Sequence, residues 1–234
     1  MSMEQARRIT IASVDATLEG ILQTPSGVTP GGILVVCHPH PLYGGSMHNN
    51  VVDALCDAAL QEGMSALRFN FRGVGASSGS HTGGDGEQDD VLAALTAAAD
   101  LPGGAANESH SAGLAGYSFG ASMAARVRSR ASPAPRVLLL VSPPMSSLAV
   151  SLIGDDSDPG SLPHDGERGG PHLLLICGDR DHVCPAADLE ALAKRLRPEP
   201  DCVVIEGADH SWFGHESELR DTAGAFLRWH LAAG

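Results

Sequence analysis

The chain has 234 residues, 43% of them hydrophobic, enough for one large α/β domain or two small ones around a sizeable core. Its formal charge of −13 repels phosphate backbones and anionic membranes, which argues against nucleic acid or a membrane as partner. No apolar run approaches the ~20 residues that span a bilayer, and Met1 to Arg8 lacks the apolar stretch of a signal peptide, so a cytoplasmic protein is expected.

In chain order, Ile9 and Ile11, then Leu18 and Leu22, alternate at period 2 and predict an antiparallel edge hairpin. Ile33 to Cys37 reads as a strand buried on both faces. Val52, Leu55, Cys56 and Ala59 mark one helix face. Ala66 to Phe71 is the next strand, and a helix follows from near Gly86 and Glu87, with acids in its first turn as the helix dipole favours. Ala112 to Tyr117 predicts a short strand, Ser118 to Arg130 a helix, and Val137 to Val141 a strand. Gly154 to Gly170 is rich in Gly, Pro, Asp and Ser and reads as an exposed, mobile loop, too short and polar for a helical cap. Leu173 to Cys177 predicts a strand, Leu189 to Leu196 a helix, Val203 to Ile205 the last strand, and Leu219 to Leu227 a terminal helix.

Repeated strand–helix alternation, with no internal repeat or linker, predicts a single α/β domain over residues 1–234, built on a mostly parallel sheet with helices on both faces. Ligands then bind beyond the carboxyl ends of the strands. Cys37, Cys56, Cys177, Cys184 and Cys202 are odd in number and irregular in spacing, so free thiols are expected and not a disulfide framework. Cys184 falls beside a candidate acid and reads as a bystander.

Two stretches match Gly-x-Ser-x-Gly: Gly116-Tyr117-Ser118-Phe119-Gly120 and Gly75-Ala76-Ser77-Ser78-Gly79. With 28 glycines in the chain, about 0.3 accidental matches are expected, so the pattern needs context. Only Ser118 lies between a strand and a helix, where a sharp turn exposes a nucleophile. An ordinary N-cap serine occupies the same kind of place, so the partners decide. A hydrolase order of serine, acid, histidine is met downstream. Asp179 and Asp181 follow one strand, and His210 follows the next. One of the two acids reads as a turn former, and His215 is the runner-up base.

An oxyanion hole needs two donors. One is the amide of Phe119, the residue after the serine. The other comes from the loop His38-Pro39-His40-Pro41-Leu42-Tyr43-Gly44-Gly45, in which the prolines have no N–H. His40 is the first choice, with Leu42 or Tyr43 behind it. Leu42, Tyr43, Met145 and Trp212 fall near strand ends and are candidate substrate-binding residues. His38 and His40 also permit a metal-dependent hydrolase, with Asp181, His182 and His210 as further ligands. Arg72 is expected to pair with Glu87 or Asp90 and pin its Gly-rich turn, which lacks the pattern of a phosphate-binding loop.

Taken together, His38 to Gly45, Arg68 to Gly75 with Gly86 and Glu87, Gly116 to Gly120, Gly178 to Asp181 with Pro185, and Ala208 to His210 resemble the α/β-hydrolase superfamily. They look most like its small, lidless, dienelactone-hydrolase-like serine hydrolases. The resemblance implies the α/β-hydrolase fold without a substantial cap, Asp181 as the acid in preference to Asp179, His210 as the base, and an oxyanion amide from the loop after the third strand. Dienelactone hydrolases proper use a cysteine nucleophile, and Ser118 in that place favours ordinary esters. The expected function is a carboxylesterase on small or short-acyl esters, with a small-molecule ester as partner and no cofactor. A thioesterase or peptidase with the same triad and a non-catalytic scaffold remain alternatives, and a homodimer stays open.

Overall fold

The computed structural model describes residues 5–104, 111–132, 134–153 and 170–231. Eight strands form one sheet in the order β1-β2-β4-β3-β5-β6-β7-β8. They are β1 (Gln5–Ser13), β2 (Ala16–Thr24), β3 (Gly32–Cys37), β4 (Ser65–Phe69), β5 (Ser111–Tyr117), β6 (Val137–Val141), β7 (His172–Gly178) and β8 (Asp201–Ile205). The expected hairpin is β1 with β2, and β2 joins β4 antiparallel. From β4 to β8 every pairing is parallel. The helices are α1 (Asn50–Gln61), α2 (Asp85–Ala99), α3 (Phe119–Val127), α4 (Met145–Ile153), α5 (Ala186–Ala193) and α6 (Glu216–Leu231).

Every residue of β3 is buried, as a strand with helices on both faces requires. Its alternate side chains enter two cores. Ile33, Val35 and Cys37 join Val91, Leu148 and Leu189 of α2, α4 and α5, while Leu34 and Val36 join Leu55 of α1 and Phe226 of α6. The chain passes from β3 outward to β4, then crosses back to place β5 on the other side of β3. The strand order therefore reverses between β3 and β5. A crevice opens at such a reversal, beyond the carboxyl ends of the two strands.

Three boundaries differ from the sequence reading. β4 stops at Phe69 instead of Phe71, because the Phe71 amide donates to the His38 ring at 3.0 Å and leaves the ladder. α4 was not expected. It starts where the Pro144 carbonyl accepts from the amides of Ser147 and Leu148, both at 3.1 Å. α3 ends at Val127 and α5 at Ala193, short of Arg130 and Leu196. The expected loop from 154 lies outside the described residues up to 169. No described helix is long and apolar enough to cross a membrane. The five cysteines are free, four of them buried.

Arg72 selects Asp90, not Glu87. Its Nε and Nη2 donate to the two carboxylate oxygens at 3.0 and 2.7 Å, and its backbone amide donates at 3.0 Å. Ser13 Oγ adds a bond of 2.7 Å to the same carboxylate, so Asp90 joins β1, the turn after β4 and α2. Glu87, also fully buried, binds the hydroxyl and amide of Thr82 and the amide of Gly84 instead. Removing one member of a buried pair strands its partner's charge. Asp90→Ala is therefore expected to lower stability by about 3–5 kcal/mol, read as a fall in the urea midpoint.

Candidate active site

Ser118 stands between β5 and α3 with φ 53° and ψ −116°, a conformation that side-chain-bearing residues avoid. The turn is possible because two glycines flank it. A Cβ on Gly116 would lie 2.4 Å from the Gly120 carbonyl carbon, and one on Gly120 would lie 2.3 Å from the Cys37 carbonyl oxygen. The first turn of α3 thus sits against the backbone of β3 and β5, and the Ser118 amide is held by the Val141 carbonyl at 2.9 Å. Ser77, in the other Gly-x-Ser-x-Gly match, has a different place. Its hydroxyl donates to the Asn70 carbonyl at 2.7 Å and accepts the Glu19 amide at 2.9 Å, locking a turn.

The strand ends carry the partners. Ser118 Oγ is 3.1 Å from His210 Nε2. His210 Nδ1 lies 2.9 and 3.1 Å from the two carboxylate oxygens of Asp181. Asp181 follows β7 and His210 follows β8, so their side chains meet over the sheet edge. Asp179 takes the other role: its carboxylate accepts the Gly207 amide at 2.7 Å and ties the two turns together. His215 pairs with Glu218 at 2.7 Å instead of approaching Ser118. His182 is exposed.

Asp181 is almost fully buried. Burial pushes its carboxyl upward, but hydrogen bonds from His210, Ser142 and the Cys184 amide outweigh this and hold it below the usual carboxylate range. The amides of Val183 and Cys184 donate at 2.8 and 2.9 Å. Ser142 is in turn hydrogen-bonded by the Trp212 indole N–H at 2.9 Å. Both Ser142 and Trp212 have positive φ, 46° and 62°. The Tyr117 hydroxyl donates to the His210 carbonyl and anchors the histidine's backbone to β5. Ser142 falls in no motif, and Tyr117 occupies a variable position of the Gly-x-Ser-x-Gly pattern.

A cavity of about 660 Å³ opens over Ser118 and His210. Tyr43 lines it. Three other candidates do not. Trp212 is fully buried in the core against α1 and α6, where its ring is excluded from solvent. Leu42 points to solvent at 70% exposure. Met145 packs on the core, its Sδ 3.9 Å from Cys184 Sγ.

In the loop after β3, the Leu42 amide donates to the His40 ring and the Tyr43 amide to the His40 carbonyl, at 3.2 and 3.1 Å. Those two amides are spent within the loop. The His40 ring lies 4.9 Å from that of Phe119. Phe119 is the first residue of α3, where an amide has no partner within the helix.

His38 does not fit the metal reading. Its Nδ1 is 2.6 Å from the Pro39 carbonyl and its Nε2 accepts the Phe71 amide at 3.0 Å, so both nitrogens are engaged. No group of three or more metal-binding side chains assembles among the described residues. Full burial lowers the His38 pKa from 6.5 to about 4. The unfolded chain then binds a proton that the folded chain refuses. Stability from His38 is complete above pH 6.5 and declines as pH falls toward about 4, by about 3 kcal/mol in all. Urea titrations over this pH range should show that decline, and His38→Gln should remove most of it.

No protein-family model matches the chain. An uncharacterized protein of Rickettsia prowazekii is 34% identical over 195 residues, covering 80% of this chain and 74% of that protein. The structure of an α/β serine hydrolase homologue from Coxiella burnetii is 30% identical with a TM-score of 0.79, covering 94% of this chain and 97% of that one. A serine hydrolase without a lid from Xanthomonas campestris is 28% identical with a TM-score of 0.80, covering 98% and 97%. With this likeness over nearly its whole length and a serine at the strained turn, the chain belongs to the α/β-hydrolase superfamily, among its serine hydrolases without a lid.

Proposed function

We propose that the protein is a carboxylesterase for small or short-acyl esters, acting through Ser118, His210 and Asp181. The observation that carries this reading is the continuous hydrogen-bonded line from Ser118 Oγ through the His210 ring to the Asp181 carboxylate, open to a cavity at the Ser118 end. Such a line makes a serine hydroxyl nucleophilic, because the imidazole removes its proton as the new bond forms.

In the proposed reaction Ser118 Oγ attacks the ester carbonyl carbon, and its proton passes to His210 Nε2. The imidazolium gives that proton to the departing alkoxide, leaving an acyl-serine. Water adds next, delivering a proton to His210, and the acid leaves as Ser118 takes the proton back. Asp181 keeps Nδ1 protonated and stabilises the imidazolium. The amides of Phe119 and His40 hold the oxyanion. A donor of this kind contributes about 3–4 kcal/mol to the transition state. No step calls for a cofactor.

Three measurements test the proposal. A fluorophosphonate is expected to label the protein once, at Ser118, and labelling at another residue overturns the mechanism. Ser118→Ala is expected to lower kcat on short p-nitrophenyl esters by about four to six orders of magnitude, and undiminished turnover would exclude it as nucleophile. Asp181→Asn should leave binding of substrate largely in place and lower kcat by about 10⁴.

A further inference from the structure

The face of α3 that begins at Ser118 has a charged end. Ser118, Ser122 and Arg126 recur at intervals of four residues, which places them on one stripe of the helix, and all three line the cavity. Among the described residues of that lining Arg126 is the one cation of full charge, and none is Asp or Glu, in a protein of net charge −13.

Arg7, Arg180 and Arg195 also lack a side-chain partner but are exposed, whereas the other described arginines except Arg126 are engaged. Arg72 pairs with Asp90, Arg68 with Asp53, Arg130 with Asp89, Arg220 with Asp221 and Arg228 with Glu62. Arg128 bonds the Ala125 carbonyl. Arg126 is partly buried and forms no hydrogen bond or ion pair among the described residues. Its guanidinium lies against Gly84, where a Cβ would stand 3.1 Å from Nη1. That is the amino end of α2, whose first turn carries Asp85 and Glu87, neither of which pairs with Arg126. A partly buried guanidinium without a partner among the described residues is open to pairing with an anion in the cavity.

We infer that one arm of the substrate ends in a carboxylate that Arg126 holds while the ester bond lies at Ser118. This rests on the serine-hydrolase reading and narrows it to a substrate class. A planar guanidinium matches a carboxylate through two parallel hydrogen bonds. A single guanidinium balances the single charge of a carboxylate, whereas a phosphate dianion would keep a surplus. Eight residues of helix separate Ser118 from Arg126, about 12 Å along the axis. The arginine side chain leans back toward the helix amino end and closes much of that gap. A spacer of a few methylenes spans the rest, against Met123, Phe119 and Pro144 on the cavity wall. The class is a half-ester of a short dicarboxylic acid, or a short ester whose alcohol carries the acid.

The test compares initial kcat/KM for monomethyl adipate against dimethyl adipate, and for 4-acetoxybutanoate against its methyl ester. The wild type is expected to prefer the charged member of at least one pair tenfold or more. Arg126→Gln should cut that preference at least tenfold, Arg126→Lys should keep part of it, and Arg130→Gln, just past the end of the same helix and paired with Asp89, should leave it intact. Equal or poorer turnover of both charged members overturns the inference while the esterase reading stands. So does a preference that survives in a folded Arg126→Gln. If no ester is turned over, the esterase reading fails first, and calorimetric titration of adipate then decides. Saturable binding that weakens fivefold or more in Arg126→Gln supports the anion site, and its absence in the wild type overturns it.

Discussion

The geometry of the site depends on how closely the first turn of α3 approaches the carboxyl ends of β3 and β5. Gly116 and Gly120 touch each other's backbone, and Gly120 touches that of Cys37, at distances no side chain permits. That contact turns the chain so sharply that Ser118 is held at positive φ. The same contact brings the orphan amides of α3 beside the loop after β3. Were the helix an ångström further out, the serine would relax into an ordinary cap and the amides would face water. The strain at one residue is thus sustained by the packing of two strands and a helix, which is how proteins keep such conformations at reactive positions.

Around this contact, successive strand ends hold successive members of the site. The Ser118 amide is bonded to Val141 at the end of β6, and the Ser142 amide to Ile176 of β7. Ser142 then supports Asp181, and Tyr117 of β5 reaches across to the histidine backbone. Each group is fixed by an element other than its own. The electrostatic pattern is equally directional: no carboxylate lines the cavity among the described residues, and the buried Asp181 lies on the far side of the histidine.

Much of this was legible in the sequence. Solid apolar runs marked the parallel strands, because a strand buried on both faces has no polar alternation to confuse it with a surface helix. The serine, acid and histidine were legible because each stands just past such a run. The supporting groups were not. Ser142 and Tyr117 matter through contacts with residues far along the chain, and nothing local distinguishes them from any serine or tyrosine at a strand end. Trp212 misled for a related reason: two residues after His210, it looked like a cavity wall, but its φ is positive and its ring lies in the core. His38 misled as a metal ligand because its two ring bonds, to Pro39 and Phe71, appear only once β3 and β4 lie side by side. The helix after Pro144 was missed although Met145, Leu148, Ala149 and Leu152 fall at helical spacing.

The bond from Tyr117 to the His210 carbonyl has a further consequence for how the molecule comes apart. It spans 93 residues of chain and fastens the turn after β8, near one rim of the sheet, to the strand that carries the serine. The rim of a sheet is ordinarily where opening motions begin, since it has a neighbour on one side only. Here such an opening would first have to release the histidine from the centre of the sheet. The turn that bears the histidine therefore shares the exchange protection of the interior strand more than that of its own edge, and local fraying at β8 need not carry the imidazole away from the serine.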